Sequence, residues 1–220
     1  MNWCDIIKMD VMMMDFKQEI NELEMFNCCD DFVFYKGEIP ILFSAPHTMR
    51  QKKKDGSIKS SEPYTKAIAL YLNKYFNVFS IVKINDTGLD SNRDNDDNYK
   101  KELMKIVKEN NIKLVIDLHG ASKERDFDVE FGTLNNLSID FSTIKELEDA
   151  FKENGIKNVL YNAPFKGGAI TQYLYGINDI DVVQIEINGK YRNLNNIDLL
   201  KKIIDSLVNF IHQYNTYINR

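Results

Sequence analysis

Short apolar runs, each closed by polar or turn-forming residues, recur along the chain and read as β-strands. They cover residues 32–35, 41–44, 78–84, 113–118, 159–161 and 182–187, with 127–132 a weaker instance. Between them the apolar spacing changes to the helical period over 64–75, 98–110, 142–154 and a closing segment near 196–217. Ser142 followed by Lys145 and Glu146 predicts a helix start, and Asn154-Gly155 predicts a stop. The run 114–117 is almost wholly apolar, as expected of a strand covered on both faces. Strands alternating with helices in this way predict an α/β protein, a three-layer α/β/α sandwich around a mostly parallel or mixed sheet.

No repeat divides the 220 residues, nor does a linker rich in Pro, Gly or Ser, so 1–220 reads as one domain. Residues 1–30 are expected to form an N-terminal helix or arm that packs its Met residues on the body. Asp5, Asp10 and Asp15 interrupt that segment's apolar residues, and it has neither a basic start nor a small-residue cleavage site, so it does not read as a targeting signal. No stretch approaches the ~18 apolar residues of a membrane span. The expected location is the cytoplasm.

Composition adds limits. A chain with 44% hydrophobic and 28% charged residues can bury a sizeable core without staples. Its net charge of -5 argues against general nucleic-acid binding, which favours a basic footprint. Cys4, Cys28 and Cys29 make no disulfide framework, and this fits a reducing compartment. Histidine is scarce: His47, His119 and His212 are the whole supply for metal or acid-base chemistry.

Ligands of open α/β sheets gather beyond the carboxyl ends of the strands. Two of the three histidines lie there, His47 after strand 41–44 and His119 at the end of strand 113–118, while His212 falls in the closing helix. Catalytic zinc commonly takes two histidines and one carboxylate and leaves a position open. His47 and His119 supply the imidazoles, and Glu62, just ahead of a helix, is the downstream candidate for the carboxylate ligand of one Zn2+ ion. Asp90, Asn92, Asp94 and Asp96 imitate the first half of a calcium loop, but Asn95 and Lys101 stand where that loop needs Gly and Glu. Calcium is therefore excluded.

In order, the loop 88–93 (Gly-Leu-Asp-Ser-Asn-Arg), the strand end 116–120 (Ile-Asp-Leu-His-Gly), the Gly167-Gly168 pair with the following 169–176, and Gln184-Ile185-Glu186 resemble the N-formylglutamate amidohydrolase family, on the zinc carboxypeptidase-like (phosphorylase/hydrolase-like) fold. The resemblance runs from about residue 41 to 192. It implies that His47 and His119 bind zinc and that Glu186 is the general base. Asp90 orients His47, and Asn92 and Arg93 hold a substrate carboxylate. Arg192 is a second anion contact, Thr171 joins the substrate-binding set, and Arg93 also assists catalysis. One departure stands out. The carboxypeptidase pattern places a zinc glutamate three residues after the first histidine, and that position here is Arg50. The metal carboxylate must come from elsewhere, which makes Glu62 the candidate. The implied activity is zinc-dependent hydrolysis of a small acidic N-acyl amino acid such as N-formylglutamate. The alternatives are another N-acyl or γ-glutamyl amide, or a metal-free binding relative.

Overall fold

The computed structural model describes residues 3–53, 55–94, 97–177 and 180–218, with side chains from Met12 onward. Asn95 and Asp96 of the acidic loop, and the Cys4 side chain, lie outside the described residues. In chain order the elements are α1 (Trp3–Met25), β1 (Phe32–Tyr35), β2 (Ile39–Ala45), the short β3 (Gln51–Lys52) and β4 (Ile58–Lys59), α2 (Thr65–Phe76), β5 (Val78–Lys83), α3 (Asn98–Glu109), β6 (Leu114–Ala121), β7 (Val129–Gly132), α4 (Phe141–Glu153), β8 (Val159–Tyr161), α5 (Ala169–Leu174), β9 (Asp181–Asn188) and α6 (Ile197–Ile218). None of the described helices is long and apolar enough to cross a membrane.

Seven strands form one mixed sheet in the order β1-β5-β2-β6-β9-β7-β8, while β3 and β4 pair as a separate hairpin. The central β5, β2, β6 and β9 run parallel. Antiparallel β1 closes one edge, and β7 pairs antiparallel to β9 and parallel to β8 at the other. One face packs on α1, α2, α4 and α6, and the other on α3 and α5. This is the predicted sandwich with a mixed sheet.

Strand periodicity assigns each residue to a face. On β6, Leu114, Ile116 and Leu118 enter the larger core and Val115 the smaller one; β9 repeats this with Val183, Ile185 and Ile187 against Val182. On the smaller-core face the apolar residues then give way to Ser44, to Asp117 and His119, and to Gln184 and Glu186, all buried. Polar chemistry is thus gathered at the carboxyl ends of three adjacent strands.

Helices α3 and α4 carry buried stripes at helical spacing, Tyr99-Leu103-Ile106 and Ile144-Leu147-Phe151. Helix α4 starts at Phe141 after Asp140, ahead of the expected Ser142, and stops as predicted at Asn154, where Gly155 takes a φ of 79°. The N-terminal helix forms, and of its described methionines only Met13 is half-buried, in the groove between α1, α2 and α6. Phe16 and Ile20 provide the contact, Phe16 meeting the Tyr71 ring edge-on at 5.5 Å, while Met12, Met14 and Met25 lie off that stripe and are exposed.

Candidate metal centre

His47 lies two residues beyond β2 and His119 lies on β6, and both are buried. Their Nδ1 atoms are 3.1 Å apart. Glu62 lies in the segment between β4 and α2, its Oε1 3.0 Å from His47 Nδ1 and its Oε2 3.1 Å from His119 Nδ1. Each imidazole is backed on its far side by a carboxylate. His47 Nε2 lies 2.8 Å from Asp90 Oδ1, and His119 Nε2 lies 2.9 Å from Asp117 Oδ2.

These partners decide the tautomer. An ionised carboxylate only accepts, so each Nε2 carries the proton and donates it outward. Both Nδ1 lone pairs then face inward with the Glu62 oxygens. Acceptor atoms that converge so closely repel one another unless a positive centre lies among them. One donor atom from each of His47, Glu62 and His119 lies within 4.8 Å of the others, close enough for all three to reach a single metal ion. The nitrogen and carboxylate donors, backed by carboxylate-histidine pairs, fit the same ion.

The electrostatics describe a cluster that attracts positive charge, whether a metal ion or a proton on His119 Nδ1. Burial pushes the Glu62 carboxyl up, but His47 and His119 outweigh it and hold the group well below its usual range. Burial disfavours a charged His119, yet Asp117 and Glu62 raise it well above the ordinary imidazole value. Asp90 is likewise held low against its own burial by His47, with help from Lys59. The Lys59 ammonium stands 3.0 Å from Glu62 Oε1, a cation at the site that the sequence did not single out.

The other expected residues fall into place unevenly. Glu186 is the register partner of His119 on β6 and of Glu130 on β7. Gln184 Nε2 donates to Glu186 Oε1 at 2.7 Å, and burial chiefly raises the Glu186 carboxyl. Glu130 points its charge elsewhere, accepting from the N–H groups of Ala163 and Phe165 at 2.5 and 2.7 Å. Asn92 Oδ1 accepts from the Ile170 N–H at 3.1 Å, and its Nδ2 lies 3.3 Å from His119 Nε2. Gly168 permits that approach, since a Cβ there would come within 2.1 Å of the Asn92 carboxamide. Arg93 is exposed on the same loop. Thr171 is buried on α5, its hydroxyl without a partner among the described residues.

Arg192 departs from the expected anion contact. It is 8% exposed, and all three of its guanidinium nitrogens donate to backbone carbonyls, those of Ile187, Pro63 and Ala121. Asp117 was not assigned a role from the sequence, although its spacing carried the signal: residues two apart on a strand share a face. Ser44 and Tyr99 extend the same network, Ser44 Oγ donating to Asp117 Oδ1 at 2.8 Å and lying 3.0 Å from the Tyr99 hydroxyl.

The family model of N-formylglutamate amidohydrolase matches residues 93–191. The chain resembles the N-formylglutamate amidohydrolases. The match supports an amidohydrolase on this fold, and the matched span carries Asp117, His119 and Glu186 but not His47 or Glu62. The N-formylglutamate amidohydrolase structure from Ralstonia eutropha JMP134 superposes with a TM-score of 0.69 at 14% identity, covering 86% of this chain and 98% of that one. The bacteriophage poly-gamma-glutamate hydrolase structure gives 0.53 at 11%, covering 83% and 91%. A metallo-carboxypeptidase from Burkholderia cenocepacia gives 0.51 at 11%, covering 90% of this chain and 68% of that one. At such identities these neighbours establish the shared fold. No curated protein matches the sequence.

Proposed function

We propose that the chain is a zinc-dependent amidohydrolase that cleaves the amide of a small N-acyl amino acid, N-formylglutamate-like, to formate and glutamate. The observation that carries this reading is the convergence of the His47 Nδ1, His119 Nδ1 and Glu62 lone pairs, each imidazole backed by a carboxylate. Zinc held by those three residues supplies Lewis acidity, which polarises a carbonyl and makes water acidic near neutral pH.

The chain supplies the rest. Glu186 is fixed by Gln184 through one carboxylate oxygen, and it takes a proton from the attacking water and passes it to the leaving nitrogen. Its burial-raised carboxyl is suited to both duties, because a base near the working pH can also act as an acid. Asp90 and Asp117 keep the imidazoles in the ligating tautomer. Arg93 reads a substrate carboxylate through the planar guanidinium fork, with Asn92 anchoring the loop that carries it. Thr171 follows Ile170, whose N–H holds Asn92, and completes the substrate-binding set. The partner is a small acidic molecule, with no role for nucleic acid or membrane, and the location is the cytoplasm.

Protein purified without chelator is expected to hold about one zinc per chain. Glu186→Gln is expected to keep the metal and lose turnover by on the order of 10²–10⁴-fold. Near-normal turnover in that variant removes Glu186 as the base. Absence of zinc, with no recovery on adding it, removes the metalloenzyme reading.

A further inference from the structure

Of the proposed ligands, His119 lies on β6 and His47 just beyond β2, whereas Glu62 occupies the segment between β4 and α2, away from the main sheet. A carboxylate there needs an external support to hold a metal-ligand position. Its own backbone is tied at both ends: the Glu62 N–H donates to His47 O, and the Thr65 hydroxyl donates to Glu62 O, both at 2.8 Å. The next two residues are held from opposite ends of the chain.

Pro63 follows, and its carbonyl accepts from Arg192 Nη1 at 2.7 Å. Tyr64 adopts a left-handed φ of 67°, a conformation that a bulky L-residue keeps only when its surroundings impose it. Glu24 of α1 imposes it, accepting from the Tyr64 N–H at 2.9 Å and from the Ala67 N–H at 3.3 Å. Helix α2 has no side-chain cap of its own and no acidic residue in its first turn, so Glu24 serves as its cap from another helix.

Arg192 also reaches the strand that carries His119. Its Nη2 donates to Ala121 O at 2.9 Å, and its Nε donates to Ile187 O at 3.0 Å. The guanidinium lies flat against Gly120, where a Cβ would come within 2.3 Å of Arg192 Cζ. On that same residue, the Gly120 N–H donates to Glu62 Oε2 at 2.9 Å. One planar fork therefore fixes the end of β6, the end of β9 and the Glu62 segment relative to one another, which a lysine's single ammonium cannot reproduce.

We propose that Arg192 and Glu24 are positioning residues that deliver Glu62 to the metal, so that the ligand missing at Arg50 is supplied by a segment clamped from both ends of the chain. The inference rests on the proposed function in taking Glu62 as a ligand.

The test measures zinc affinity of the full-length chain by competition with a chromogenic chelator, together with kcat and KM at saturating zinc. Arg192→Met is expected to weaken zinc binding tenfold or more, with Arg192→Lys recovering little of it. Glu24→Gln keeps the shape of the cap and is expected to fold where Arg192→Met does not, and to weaken zinc severalfold. KM for the acidic substrate stays within about twofold once zinc saturates. Ile144→Val in the α4 core, a plain destabilisation, is expected to leave zinc affinity unchanged. Unchanged affinity in folded Arg192→Met and Glu24→Gln overturns the clamp. A raised KM with unchanged zinc affinity also overturns it, returning Arg192 to the substrate. Glu62→Gln separates the layers. If it leaves zinc affinity intact, the ligand assignment and the clamp both fall; if it weakens zinc while the clamp variants do not, the clamp alone falls.

Discussion

Asp117 has no exposed surface, and it is held between the Ser44 hydroxyl at 2.8 Å and His119 Nε2 at 2.9 Å. Its charge keeps the proton on Nε2 and the lone pair on Nδ1. Asp117→Asn keeps the volume and removes the charge, so zinc affinity is expected to fall about 10–100-fold. A chelator competition curve that overlays the wild-type curve removes Asp117 from the metal network. At this scale the sequence was informative wherever chemistry and position coincide, as at His47, His119 and Glu186 beyond or along apolar runs. It was silent for Lys59 and misleading for Arg192. An arginine reads the same in sequence whether it faces solvent or buries three donors on carbonyls brought together from distant segments. Glu62 was reachable as the carboxylate just ahead of a helix downstream of His47, and Arg50 at the expected position strengthened the choice.

Elements were legible in proportion to their periodicity. The central strands are rich in apolar residues and buried on both faces, and their boundaries follow the pattern within a few residues. The β3–β4 hairpin has two-residue strands, too short for any period to show. The six-residue α5 came only through the glycine pair ahead of it. Pairing between elements depends on side chains that no local pattern marks, and Asp128 shows this. Its Oδ2 accepts from the N–H groups of Lys157 and Asn158 at 3.1 and 3.0 Å, and its Oδ1 meets Lys190 Nζ at 2.6 Å, tying the starts of β7 and β8 to the turn after β9. Burial raises its carboxyl, but Lys190 and those N–H donors outweigh that and leave it below its ordinary value. The ionised group therefore stabilises the fold above the unfolded pKa of about 3.9, and the contribution is lost as pH falls through the native value. Asp128→Asn is expected to cost about 1 kcal/mol at neutral pH and to flatten the loss of stability below about pH 4. Parallel wild-type and variant urea midpoints across that range count against it.

At the scale of the whole molecule, the proposed metal site would couple binding to folding. Residues 47, 62 and 119 are separated by 15 and 57 positions, so the unfolded chain offers no local chelating motif. An ion that binds only the native state stabilises it by about 2.7 kcal/mol at a hundredfold excess over Kd. For 220 residues that amounts to a rise in Tm of about 5–10 °C on adding zinc to stripped protein, readable by calorimetry. A Tm indifferent to zinc argues against a native metal site. The net charge of -5 is a whole-chain average, and it conceals a centre where Lys59, Arg192 and the imidazoles face Glu62, Asp90 and Glu186. The alternation along β6 and β9 sets one further condition. Because Asp117, His119, Gln184 and Glu186 all depend on the same parity, a one-residue slip in either strand turns that strand's polar pair into the apolar core. On the proposed function, a misregistered chain would then be inert instead of merely slower, and specific activity would count the correctly threaded molecules in a preparation.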